Sequence, residues 1–150
     1  MVGPQSAVRL RLKSTAYNSL PEQTYGNPFI TATGARTAFG IIAVSRDLLG
    51  ADLPYGSLVR IRDLGNYHNG RGAGRFQDVL DAQGLFIVED TMHARKRQQI
   101  DVWFPHLSEA INWGVRQVEL EVVRFGRDGP EFYAAEPTPL GVQPKLAAAR

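Results

Sequence analysis

The stretch GLFIVEDTMHARKRQQIDVWF, Gly84 to Phe104, decides how this chain is read. It holds two apolar runs, Leu85-Phe86-Ile87-Val88 and Ile100-Asp101-Val102-Trp103-Phe104, each read as a strand. The first run ends in Glu89-Asp90, the second carries Asp101 one residue in, and a basic connector with His93, Arg95, Lys96 and Arg97 separates them. Each strand then delivers a carboxylate to the mouth of a cationic loop. Asp101, between Ile100 and Val102, points away from both and shares its strand face with Trp103. Beside an aromatic, a carboxylate is partly desolvated, which raises its pKa and suits it to proton donation near neutral pH. The same spacing also describes a solvent-facing aspartate, and Asp90 reads equally well as an Asx-type turn residue.

Outward from this stretch the chain alternates. Val8, Leu10 and Leu12 oppose Arg9, Arg11 and Lys13, a half-buried strand that runs into Ser14-Thr15-Ala16-Tyr17. Asn18, Pro21, Gly26, Asn27 and Pro28 mark a long loop, and Ile41 to Val44 reads as a short buried strand. Ser45 to Gly50 reads as one helical turn capped by Ser45, and Leu58 to Arg62 alternates again. The connection from Asp63 to Asp81, with Gly70-Arg71-Gly72-Ala73-Gly74-Arg75, reads as a long flexible loop that fits neither dinucleotide nor P-loop spacing. Ser108 to Gly114 predicts a short helix capped by Ser108, and Val118, Leu120 and Val122 against Gln117, Glu119 and Glu121 predict the last strand. The sum is six strands, one short helix and two long loops, which points to a small closed all-β barrel that leaves no sheet edge. Residues 1–125 are read as one domain, and the Gly-, Pro- and Ala-rich residues 126–150 as a flexible tail.

The 150 residues suit a single domain, and a net charge of +2 imposes no bulk field towards nucleic acid or membrane. Cysteine is absent, which excludes disulfides and thiolate metal sites, and a lone His93 makes no metal site. No apolar run approaches the roughly 18 residues of a membrane-spanning helix. The first residues also lack the apolar stretch of a secretory signal, so the protein is either intracellular or its leader is absent from this chain.

Several pieces together resemble the 3D domain, named for three aspartates. They are Thr15-Ala16-Tyr17, Thr31-Ala32-Thr33-Gly34 with Arg36-Thr37 and Gly40, and Ile42-Ala43-Val44. Pro54-Tyr55-Gly56-Ser57 before Val59-Arg60-Ile61 is similar to the family's Pro-Leu-Gly-Thr turn and strand, and Val88-Glu89-Asp90-Thr91 to its Glu-Asp-Thr element. Ile100 to Phe104 looks like its Ile-Asp-hydrophobic-aromatic strand, and Ser108-Glu109-Ala110 with Trp113-Gly114 like its short helix. The resemblance covers Val8 to Val123 and implies a six-stranded double-psi β-barrel, related to those of lytic transglycosylases of the A type and of stationary-phase muralytic enzymes.

That resemblance implies a catalyst that cleaves the β-1,4 bond between N-acetylmuramic acid and N-acetylglucosamine in peptidoglycan, without water or cofactor. Asp101 matches the family's acid/base and Asp90 its companion. Thr91, Thr33, Gly34, Arg36, His93, Arg95 and Trp103 are the expected glycan-binding positions, and no metal is expected. The implied partner is a peptidoglycan strand and the implied location the bacterial cell envelope or exterior; nucleic acid is disfavoured and the oligomeric state is left open. Two departures stand out. Ser45 follows Ala43-Val44 where the family has its first aspartate, and Met92 to Gln98 replaces a small glycine-rich segment. They define the alternative expectation, a non-catalytic glycan-binding barrel with a degenerate active site.

Overall fold

The computed structural model describes residues 8–18 and 29–131. Six strands form the wall: β1 (Val8–Tyr17), β2 (Ile41–Val44), β3 (Leu58–Asn66), β4 (Phe86–Thr91), β5 (Gln99–Trp103) and β6 (Arg116–Arg124). They close in the order β1-β5-β2-β4-β3-β6. Two pairings, β1–β5 and β2–β4, are parallel, and they flank an antiparallel β2–β5 seam. This crossed arrangement is the double-psi barrel that the sequence resemblance implied. Closure leaves every strand with two neighbours, so no backbone edge is open for pairing.

Alternation sorts the side chains as the sequence suggests. Leu12, Ile42, Val44, Val59, Ile61, Phe86, Val88, Ile100, Val102, Val118, Leu120 and Val122 fill the interior, none more than 4% exposed. Burial of each large apolar side chain contributes about 1.5–3 kcal/mol. On the outer wall of β1, β6 and β3 the residues between them form two charge rows, Arg9–Glu121–Arg60 and Arg11–Glu119–Arg62.

Three short helices dock on the barrel, where the sequence predicts one and a possible turn. α1 (Arg46–Leu49) does start at Ser45, but the Ser45 side chain caps nothing; its Oγ accepts the Gln99 N–H at 3.1 Å instead. α3 (Leu107–Trp113) begins after His106 and not at Ser108, and its Trp113 plugs the core and donates to Ser14 Oγ at 3.1 Å. α2 (Gln77–Gln83) lies inside the stretch read as loop. The rest of that stretch is folded against a buried ion pair, Arg116 Nη1 to Asp63 Oδ1 at 2.9 Å. Asp63 also accepts the N–H groups of Gly65 and Phe76, and the Arg116 guanidinium lies over the Phe76 ring.

The first residues of the expected tail turn back on the barrel. Gly126 N–H donates to Ser57 Oγ at 2.9 Å, Phe125 N–H to the Pro130 carbonyl at 3.0 Å, and Arg127 pairs with Glu89. Residues 132–150 and most of the predicted loop after Asn18 lie outside the described residues. No helix among the described residues is long and apolar enough to cross a membrane.

Candidate functional site

The two aspartates meet through register. Ala43 of β2 pairs with Asp101 of β5 on one side and with Asp90 of β4 on the other, and Thr15 of β1 pairs with Asp101. Thr15, Asp101, Ala43 and Asp90 therefore form one row across four strands, facing away from the core. Adjacent strands lie about 4.8 Å apart, so the aspartate backbones are roughly 10 Å apart with only a methyl group between them. A β-bulge makes this possible. Ile42 pairs with Val88 but Ala43 with Asp90, so Glu89 is the extra residue, and without it Asp90 would face the other side of the sheet.

Asp101 is enclosed by protein though part of it reaches the surface. Burial pushes its pKa up to about 6; the neighbouring Asp90 adds to this, whereas a hydrogen bond from the Thr15 hydroxyl and the charge of Lys96 oppose it. Thr15 Oγ1 in turn accepts from Gln99 Nε2 at 3.0 Å. Asp90 is held by three donors. Tyr17 Oη donates to its Oδ2 at 3.1 Å, and the N–H groups of Ala32 and Thr91 each donate to Oδ1 at 3.0 Å. Burial, followed by the Asp90 charge, pushes the Tyr17 phenol far above its ordinary value, so it serves as a fixed donor.

The segment Thr31 to Arg36 packs on the acidic end of β4. Thr33 Oγ1 donates to Glu89 Oε1 at 3.0 Å, and Gly34 forms the exposed tip with φ +88°, a conformation that favours glycine. Arg36 is exposed and bridges to Ile30 through the backbone. Thr91 turns its hydroxyl to the Val44 carbonyl at 3.1 Å. Trp103 is buried beside Tyr17, its register partner. Among the predicted positions, Asp90, Asp101, Thr91 and the Thr33–Gly34 turn are thus gathered on one wall.

His93 and Arg95 sit on an exposed turn, where His93 Nδ1 accepts the Arg95 N–H at 3.1 Å. The loop's cation whose charge reaches Asp101 is Lys96. Ser45 is fully buried and used by the backbone of Gln99, and Asp47 accepts both the N–H and the side-chain amide of Gln98, so neither stands in for a third acid in the row. Thr15, Tyr17 and Gln99 belong to the site without having been singled out as site residues from sequence. The available signal was the pair Thr15 and Tyr17, two apart on the end of an alternating strand. A separate groove of about 930 Å³, lined by Arg60, Arg62 and Asp81 among others, lies on the opposite wall and is remote from this chemistry. Among the described residues no cluster of three or more His, Asp or Glu is placed to hold a metal ion.

Fold and site together define a six-stranded double-psi barrel with a partly enclosed carboxylate row on its outer wall. No protein-family model matches the chain, and no curated protein matches it in sequence. Among solved structures it is similar to an expansin of Clavibacter michiganensis, determined as a single-residue mutant in complex with cellohexaose, at 14% identity and a TM-score of 0.48. It is also similar to the E. coli lytic transglycosylase MltA, at 16% identity and a TM-score of 0.40. The matches cover 78% of this chain and 51% of the expansin, and 66% of this chain and 28% of the transglycosylase, so the chain corresponds to only part of either protein.

Proposed function

We propose that the protein is a peptidoglycan-active, lytic transglycosylase-like barrel with Asp101 as its single acid/base. The observation that carries this reading is the row itself: a carboxyl that holds its proton up to about pH 6, fixed by Thr15 and set across Ala43 from Asp90. Protonated Asp101 donates to the glycosidic oxygen as the bond from the N-acetylmuramic acid C1 breaks. The resulting carboxylate then takes the proton of the sugar's 6-hydroxyl as that oxygen bonds to C1, closing a 1,6-anhydro ring. The proton given in the first step is regained in the second, and no water is consumed. Asp90, held in place by three donors, sets its carboxylate beside the developing positive charge at C1. Such a substrate is met in the bacterial cell envelope or outside the cell, which is the location this reading implies.

The test is incubation of purified peptidoglycan with the protein and with Asp101→Asn. Anhydro-muropeptides are expected from the wild type, with a loss of at least 100-fold in the variant, in line with removal of a general acid. Rates should fall as pH rises through about 6, where Asp101 gives up the proton it must donate. Absence of anhydro products across pH 4.5–8 (a range chosen to span about two units around that value) would sink the catalytic reading.

One observation favours a second reading, a glycan-binding barrel without turnover. Ser45, at the family's first-aspartate position, is committed to the backbone of β5, and Asp47 is tied to Gln98. Under that reading both proteins sediment equally with insoluble peptidoglycan and neither yields products.

A further inference from the structure

Within the site one side chain has no assigned part in the chemistry and yet touches the hydroxyl that holds the acid. Gln99 is 4% exposed, at the start of β5, and its backbone is locked on both sides by Ser45: its N–H donates to Ser45 Oγ at 3.1 Å, and its carbonyl accepts the Ser45 N–H at 2.9 Å. From that fixed base its carboxamide nitrogen reaches across the parallel seam to Thr15 Oγ1 at 3.0 Å. The Thr15 hydroxyl is the one that contacts Asp101 Oδ1.

We propose that Gln99 is a positioning residue that sets the direction of the Thr15 hydroxyl and thereby decides which oxygen of Asp101 carries the exchangeable proton. The logic is one of donor and acceptor inventory. A hydroxyl has a single hydrogen, and a carboxamide nitrogen only donates. With its oxygen receiving the Gln99 N–H, Thr15 is left to give its hydrogen to Asp101 Oδ1. An Oδ1 that is already accepting is a poor place for a second proton, so the acid proton of Asp101 resides on Oδ2. The chain Gln99→Thr15→Asp101 converts a symmetric carboxyl into a one-sided acid, and it favours the ionised form that must follow proton donation. If Gln99 offered no donor, Thr15 would be able to turn round and accept from a protonated Oδ1. The acid would then be stabilised in its neutral form, with its proton directed into the protein.

The other charged or titratable groups bearing on Asp101 are Asp90 from β4, Tyr17 from β1 and Lys96 from the loop before β5; β2 presents only Ala43. Among the described residues the hydrogen bonds of Gln99 run to Ser45 and Thr15 and to none of these groups, so the effect of changing Gln99 is separable from theirs.

The importance of this chain for turnover rests on the reading of Asp101 as acid/base, but its direction does not, and the experiment reads direction. The pH titration of the Asp101 carboxyl is followed by ¹³C NMR in the wild type, Gln99→Met, Thr15→Val and the double variant. Thr15→Val is expected to move the midpoint upward by about one pH unit, the loss of a hydrogen bond to the charged form. Gln99→Met is expected to move it upward as well, by less. The double variant should titrate like Thr15→Val alone, because Gln99 acts only through Thr15. An unchanged midpoint in Gln99→Met, or an equal further shift from it in the Thr15→Val background, overturns the proposal. Should Gln99→Met fail to fold, Gln99→Glu replaces it in the same cycle. Its carboxylate turns the Thr15 hydrogen away from Asp101, so its upward shift must be larger with Thr15 present than with Val; equal shifts overturn the proposal. If the wild type makes no anhydro products while the NMR cycle behaves as stated, the catalytic reading fails and the positioning chain stands.

Discussion

Asp101 is kept at a cost to stability, and the cost has a definite sign. Its pKa in the folded protein is about 6, against an ordinary value of 3.8. Well below the ordinary value of 3.8 both folded and unfolded chains hold the proton, and the group contributes nothing to pH dependence. As pH rises through the folded value, the native state must ionise a carboxyl that the unfolded chain ionised earlier, so stability falls between about pH 4 and 6 and stays lower above it. The difference between the two values corresponds to about 3 kcal/mol, with 1–3 kcal/mol as the working order of magnitude for a group that still reaches solvent. Asp101→Asn keeps an oxygen to accept from Thr15 but never ionises. It is therefore expected to raise Tm at pH 7.5 by several degrees and to lose that advantage near pH 4. Thermal melts at the two pH values check this, and a variant that is no more stable than wild type at pH 7.5 contradicts the assignment of the raised pKa.

At the scale of elements, the long connection between β3 and β4 separates what was legible in the sequence from what was not. Alternation exposed the strands because the buried and exposed faces of a barrel wall differ so sharply in composition, as in Val118, Leu120 and Val122 against Glu119 and Glu121. α2 left no such trace: Leu80 is its only buried residue, so there is no apolar stripe to read. The loop before it looked flexible from its glycines, but those glycines serve tight turns around the Asp63–Arg116 pair. A Cβ on Gly65, at φ +95°, would lie 2.5 Å from the Gly70 carbonyl oxygen. The candidate site was legible only in part for a related reason. Asp90 and Asp101 belong to one short stretch, whereas Thr15 and Tyr17 join them through parallel pairing with a strand that is distant in sequence, and the bulge at Glu89 that aims Asp90 is not encoded by any spacing. The ion pair is the test of this element. Asp63→Ala strands a buried Arg116 guanidinium and two backbone donors, an expected loss of about 3–5 kcal/mol in urea denaturation. Asp63→Leu with Arg116→Met removes both charges and should cost clearly less than that single change. A double variant as unstable as Asp63→Ala would show that the pair's geometry, and not the unpaired charge, dominates.

For the whole molecule, closure and site are one construction. β1 closes the barrel, pairing with β6 through Val8 to Ser14 and with β5 through Lys13 to Tyr17. The same strand that removes the last open edges brings Thr15 and Tyr17 to the two aspartates. The site consequently has no local element to sustain it: Asp101, Ala43, Asp90 and Thr15 come from four strands, and their row exists only while the wall is closed. Leu12, 3% exposed in the interior half of β1, gives access to this coupling without touching the site. Leu12→Ala leaves a cavity in the core and is expected to cost about 2–5 kcal/mol. In urea, the ¹³C signal of the Asp101 carboxyl and the fluorescence of Trp103 and Trp113 should lose their native values in one transition, in wild type and variant alike, with both midpoints lowered together by the substitution. An Asp101 environment that dissolves at lower urea than the tryptophan signal would mean that β1 detaches before the barrel unfolds, and that the site is a separable layer on a core of five strands.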